Sequence, residues 1–143
     1  MISTSDFHPM IVHFPIALII TGFLADVIFL FLRSEKCLSK TGFYLMVLGA
    51  LAAIAAWTTG QLFTNEPGQG EILSVFEKHE TGALITMILM IIGAGLRIYL
   101  VRSKKEDTSL KWVVFIIYLL AVGTVSFTGL MGGTMVYKYM LPI

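Results

Sequence analysis

Residues 9–32 read PMIVHFPIALIITGFLADVIFLFL, and Asp26 is the one Asp, Glu, Lys or Arg in that stretch. A hydrocarbon core of about 30 Å is crossed by roughly 20 apolar residues wound as a helix. Helix is the required form, because an open strand leaves its N–H and C=O groups unpaired in lipid. Three further stretches of the same kind follow, at 43–63, 81–101 and 112–131. Composition agrees with that reading. Of the 143 residues 57% are hydrophobic and 13% charged, with a mean hydropathy of +0.86, whereas a soluble domain is nearer half apolar and a quarter charged. The balance excludes a disordered chain, a nucleic-acid binder and most soluble enzymes. The expected fold is therefore all-α: a single four-helix transmembrane bundle over residues 1–143. The first stretch does not read as a signal peptide, since Asp6 rather than a basic segment precedes it. The lone cysteine, Cys37, excludes an internal disulfide framework and any cysteine-based zinc or iron–sulfur site.

The connections alternate in charge. Arg33, Lys36 and Lys40 lie between spans one and two, and Arg102, Lys104, Lys105 and Lys111 between spans three and four. The connection between spans two and three is acidic, with Glu66, Glu71, Glu77 and Glu80 against Lys78. The positive-inside rule places both basic connections in the cytoplasm and both termini and the acidic connection on the outer side. Within the acidic connection, residues 65–70 (NEPGQG) read as a turn. Residues 71–78 read as a separate short helix lying at the interface, with Ile72, Leu73, Val75 and Phe76 at helical spacing.

All three histidines, His8, His13 and His79, then fall at the outer level. Histidine at a membrane segment is a functional hypothesis by default, and neutral imidazole ligates haem iron, zinc and copper. Pro9 suits a first helical turn, while Pro15 removes the hydrogen bond to the carbonyl of Ile11. His8 and His13 are about 140° apart on an unbroken helix, so both reach one ion only if the helix is distorted there. The leading expectation is haem b held between spans one and three by His13 and His79, with His8 assisting. Lys78, Tyr137, Lys138 and Tyr139 are the groups available near its propionates. Copper or zinc is the competing cofactor, on His8, His13 and His79 with Asp6 or Glu80 nearby and Met10, Met131 and Met135 as soft donors. Gly49, Ala52, Ala53, Ala56 and Gly60 form a small-residue face on span two, and Gly129, Gly132 and Gly133 end span four. Such residues serve close helix packing or make room for a macrocycle, and the glycine pair is a candidate break or bend in the helix, or a place where a cofactor comes close.

Asp26 lies about 20 Å deeper than His13, and Arg97 about 27 Å deeper than His79, at 1.5 Å per helical residue. The two fall at similar levels, so a structural ion pair between spans one and three is expected; a proton path is the other reading of an intramembrane carboxylate.

The segment 8–18 (HPMIVHFPIAL) resembles the opening, HPxxVHFPIAL, of a bacterial membrane family, the domain of unknown function 2231. The resemblance continues through Asp26, residues 49–53 (GALAA) with Gly60, residues 76–82 (FEKHETG) and residues 132–137 (GGTMVY). The tail, residues 139–143 (YMLPI), departs from the Gly-Val-rich end common in that family. Relatives joined to Rieske or c-type cytochrome modules imply redox work at the outer membrane face. The function expected is a haem-binding electron-transfer or accessory subunit rather than a stand-alone enzyme. Its partners are the lipid bilayer and cytochrome or Rieske-type proteins. The alternative is a non-catalytic subunit of a larger membrane complex.

Overall fold

A computed structural model describes residues 7–64 and 66–139, so Asp6, Asn65 and residues 140–143 lie outside the described residues. The chain forms α1 (Phe7–Ile11), α2 (His13–Phe31), α3 (Lys36–Phe63), α4 (Glu71–Arg102) and α5 (Leu110–Tyr139). Among the described residues four helical segments are long and apolar enough to cross a membrane, α1 and α2 together making the first. Helix α2 packs on α3, α3 on α4, α4 on α5, and α5 back on α2, closing an up-down-up-down ring.

The break between α1 and α2 falls at Val12. Pro15 has no N–H to give the carbonyl of Ile11, and a helix that loses this bond kinks a turn earlier. The bond from Val12 N–H to the His8 carbonyl, at 3.1 Å, keeps the short turn attached.

Two boundaries differ from expectation. Residues 71–78 are not a separate interfacial helix; they are the first turns of α4, which runs unbroken to Arg102. Gly70, at φ 122°, makes the sharp entry that a side chain would resist, and the sequence Lys78-His79-Glu80 that follows has no breaker. Helix α5 likewise runs through Gly132 and Gly133 to Tyr139. Each glycine weakens a helix by about 1 kcal/mol, but breaking it in an apolar setting strands several backbone groups at a greater penalty.

The bundle is apolar on its surface as well as at its centre. Ile19, Met46, Met90 and Tyr118, one from each long helix, are fully buried at its centre. They fit because glycine faces them: Gly49 lies against Ile19 and Met90, Gly93 against Met46, and Gly22 against Tyr118. Bulky residues turn outward instead, with Phe31 81%, Leu62 68% and Leu130 65% exposed. Glycine at the helix contacts and large apolar side chains over the surface are the pattern of helices associating in lipid.

At one end of the ring Arg97 grips Asp26 with both arms of its guanidinium, Nη2 donating to Oδ1 at 2.7 Å and Nη1 to Oδ2. Nη2 also donates to the Ser39 carbonyl at 3.1 Å, so one side chain ties α2, α3 and α4 together. Gly42 lies flush against the Asp26 carboxylate, where a Cβ would collide. Both partners are nearly buried, at 14% and 11% exposure. Removing one member of a buried pair strands the other at a penalty of about 3–5 kcal/mol. Asp26→Arg and Arg97→Asp should therefore each lower the unfolding midpoint in detergent, and the double reversal should recover most of the loss. A double variant no more stable than the worse single one would contradict the pairing.

Candidate functional site

At the opposite end, next to the 64–70 connection, the four spans diverge around a cavity of about 540 Å³. That is within the roughly 300–1,000 Å³ of small-molecule and cofactor pockets. Its wall is the small-residue face of α3, with Ala53, Ala56 and Gly60, together with Gly129, Gly132 and Gly133 of α5. The same residue type thus does two jobs at two depths: close packing at Gly49, and space for a cavity a few turns on.

His8, His13 and His79 all line this cavity, but they stand differently in it. His8, on α1, is buried at 9% exposure, and its Nδ1 lies 3.2 Å from Thr59 Oγ1 on α3. The Thr59 hydroxyl hydrogen already goes to the carbonyls of Ala55 and Ala56, at 2.9 and 3.0 Å, so the imidazole N–H donates to it. His79, on α4, lies 2.9 Å through Nδ1 from the Thr128 carbonyl on α5. A carbonyl only accepts, so Nδ1 carries the proton there as well. In a neutral ring that donates from Nδ1, the lone pair is on Nε2. The two rings are 6.4 Å apart, centre to centre, with planes at 89°. Glycines seat both of them: a Cβ at Gly60 would come within 3.1 Å of His8, and one at Gly132 within 3.2 Å of His79.

His13 heads α2 and is exposed, with its Nδ1 2.8 Å from the Pro9 carbonyl of the preceding turn. The ring contact in this structure is therefore between His8 and His79, not between His13 and His79. The break at Val12 is the reason: it sets α1 off from α2 and lays α1 against α3, bringing His8 to Thr59. Among the described residues no three His, Cys, Asp or Glu side chains come together as a metal-binding group.

A ladder of hydroxyls fixes the α4–α5 register that presents the Thr128 carbonyl to His79. Thr86 donates to the Gly82 carbonyl at 2.8 Å and lies 2.9 Å from Thr124, and Thr128 donates to the Thr124 carbonyl at 2.8 Å. Gly82 sits against the Thr128 hydroxyl, so a Cβ there would push α5 away. Across the rim Gln61 donates to Glu80, joining α3 to α4.

The remaining expected residues divide. Tyr137 and Met135 line the cavity. Lys138 is turned to Glu71, 3.6 Å away, and Tyr139 donates to the same carboxylate at 3.0 Å. Lys78 is exposed and is not among the cavity residues, Met10 is 58% exposed, and Met131 is half-buried away from the lining. Sequence reasoning did not single out Thr59, Thr128 or Trp57 as part of a site. The available signal was polarity out of place, Thr58-Thr59 interrupting an Ala-rich face and Thr128 beside a glycine-rich one. Two cavity groups, the Trp57 indole N–H and the Thr64 hydroxyl, are buried with no hydrogen-bond partner among the described residues. Buried donors of this kind are usually satisfied, and a bound acceptor is one way to satisfy them.

Isotope-labelled protein gives a direct check on the imidazole assignments. The nitrogen spectrum of His79 should show a protonated Nδ1 and an unprotonated Nε2 at neutral pH; the opposite tautomer would mean that the Thr128 bond is absent.

The chain belongs to the DUF2231 family, described as predicted membrane proteins, whose model matches residues 4–142. No curated protein and no solved structure matches the chain.

Proposed function

We propose that this protein binds haem b at the end of the bundle that carries the histidines, where His8 and His79 would hold it, and serves as an electron-transfer or accessory subunit. The observation that carries the reading is the imidazole pair: two rings on different helices, 6.4 Å apart, each anchored through Nδ1 to a neighbouring helix. Metal-bound histidine characteristically donates its second ring N–H to such an anchor, which fixes the tautomer and raises ligand basicity. Two neutral imidazoles so close together at one end of a membrane bundle are the ligand type that haem iron takes. Haem, when bound, supplies one-electron chemistry whose potential follows ligand identity, burial and hydrogen bonding.

The chain's own residues supply the rest. Ala53, Ala56, Gly60, Gly129 and Gly132 leave width for a flat ligand. Trp57 and Thr64 offer buried donors to its acceptor groups. Val125, Ile16 and Met135 close the apolar side and keep water out. His13 stands at the cavity as a further imidazole, and the ring contact favours His8 over it as the partner of His79. With the basic connections in the cytoplasm, this cavity opens on the outer face of a bacterial inner membrane. There it suits exchange of electrons with a cytochrome or Rieske-type protein.

The visible spectrum of purified protein tests this. A reduced-minus-oxidised haem band is expected, lost in His8→Ala and in His79→Ala and retained in His13→Ala. Loss in His13→Ala with retention in His8→Ala would move the ligand role to His13. Copper or zinc by elemental analysis, without haem, would replace the cofactor. A folded, colourless and metal-free protein would leave the structural-subunit reading standing.

A further inference from the structure

The second cavity, of about 470 Å³, opens at the other end of the bundle beside the Asp26–Arg97 pair. Its lining carries five cations, Arg33, Lys36, Lys40, Arg97 and Lys111, against the three carboxylates of Asp26, Glu106 and Asp107. The chain as a whole has a net charge of only +1, so the excess is local. Asp26 is already committed to Arg97, and Asp107 meets Lys111 at 4.0 Å from a fully exposed position, where such a contact is weak. Arg33, Lys36 and Lys40 form no ion pair among the described residues. Lys36 and Lys40 are four apart on one helix, where like charges repel. Arg33 is steadied at the rim by its Nε bond to the Leu30 carbonyl at 3.3 Å and by its place 5.3 Å over the Phe29 ring. The walls below this basic rim are apolar, with Phe29, Leu30, Val101 and Phe115, and Trp112 stands at the edge.

A site with unpaired cations at the mouth and hydrocarbon walls fits a ligand with an anionic head and apolar tails. We propose that this cavity binds the phosphate headgroup of an anionic phospholipid, with Lys36, Lys40 and Arg33 on the phosphate and the acyl chains along Leu30 and Phe115. Basic pockets between transmembrane helices are the recurring way in which such headgroups are held. The inference is independent of any cofactor at the far end.

The test is the thermal unfolding midpoint of the full chain in neutral detergent, titrated separately with phosphatidylglycerol, phosphatidylcholine and inorganic phosphate. Phosphatidylglycerol should raise the midpoint saturably, and phosphatidylcholine should not. The Lys36→Gln, Lys40→Gln double variant should weaken that response at least about tenfold, from roughly 1 kcal/mol per basic side chain near a lipid headgroup. An Arg102→Gln, Lys104→Gln variant removes the same charge outside the cavity and should respond like the unmodified protein. Equal responses to the two lipids, or equal losses in the two variants, overturn the site in favour of general surface charge. A full response to inorganic phosphate alone overturns the lipid and leaves a free anion as ligand.

Discussion

Hydrocarbon offers no hydrogen bonds, so every polar group carried into a membrane span must meet another polar group there. Most of the described polar groups within these helices obey that constraint, and the partners often lie on a neighbouring helix. Arg97 on α4 reaches Asp26 on α2 and the Ser39 carbonyl on α3. Thr86 on α4 meets Thr124 on α5. His79 on α4 takes a carbonyl of α5, and His8 on α1 takes a hydroxyl of α3. An apolar bundle without such pairs has little to set one helix register above another, because its side chains are as content with lipid as with each other. The polar contacts at the two ends therefore specify the arrangement that the small-residue interior merely permits.

The spans were legible in the sequence because length and apolarity are one-dimensional properties. Asp26 and Arg97 could be placed at one depth for a similar reason, since a fixed rise per residue converts position into height. Facing is harder to read. Whether His8 or His13 meets His79 depends on rotation about the helix axis, and the interruption at Val12 resets that rotation by an amount no periodicity reveals. A helix start was missed in the same way at residues 71–78, where local composition suggested a separate element, and the glycines at 132 and 133 left the course of the last span open. Backbone bonding carried α4 and α5 straight through. Thr59 and Thr128 escaped notice because their roles exist only across helices.

Glycine and alanine show how one residue type takes opposite roles according to what faces it. Gly49 and Gly93 are filled by Ile19, Met90 and Met46, and the helices close there. Gly60 and Gly132 are met by imidazole rings instead, and Gly133 by nothing within contact distance, so the helices part. Methionine suits the closed level because its unbranched chain adapts to an irregular gap. The difference between a packed layer and a cavity is thus written in the large residue opposite, not in the small one.

The parity of the bundle has a bearing on how it can be built into larger assemblies. Four crossings return the chain to the side from which it set out, so His8 in the first helix and Tyr137 in the last both line the imidazole-bearing cavity. A globular module fused to either end is delivered to that mouth at tethered, millimolar-scale local concentration. A module inserted between α4 and α5 is delivered to the lysine-rich side, with the full thickness of the bilayer in between.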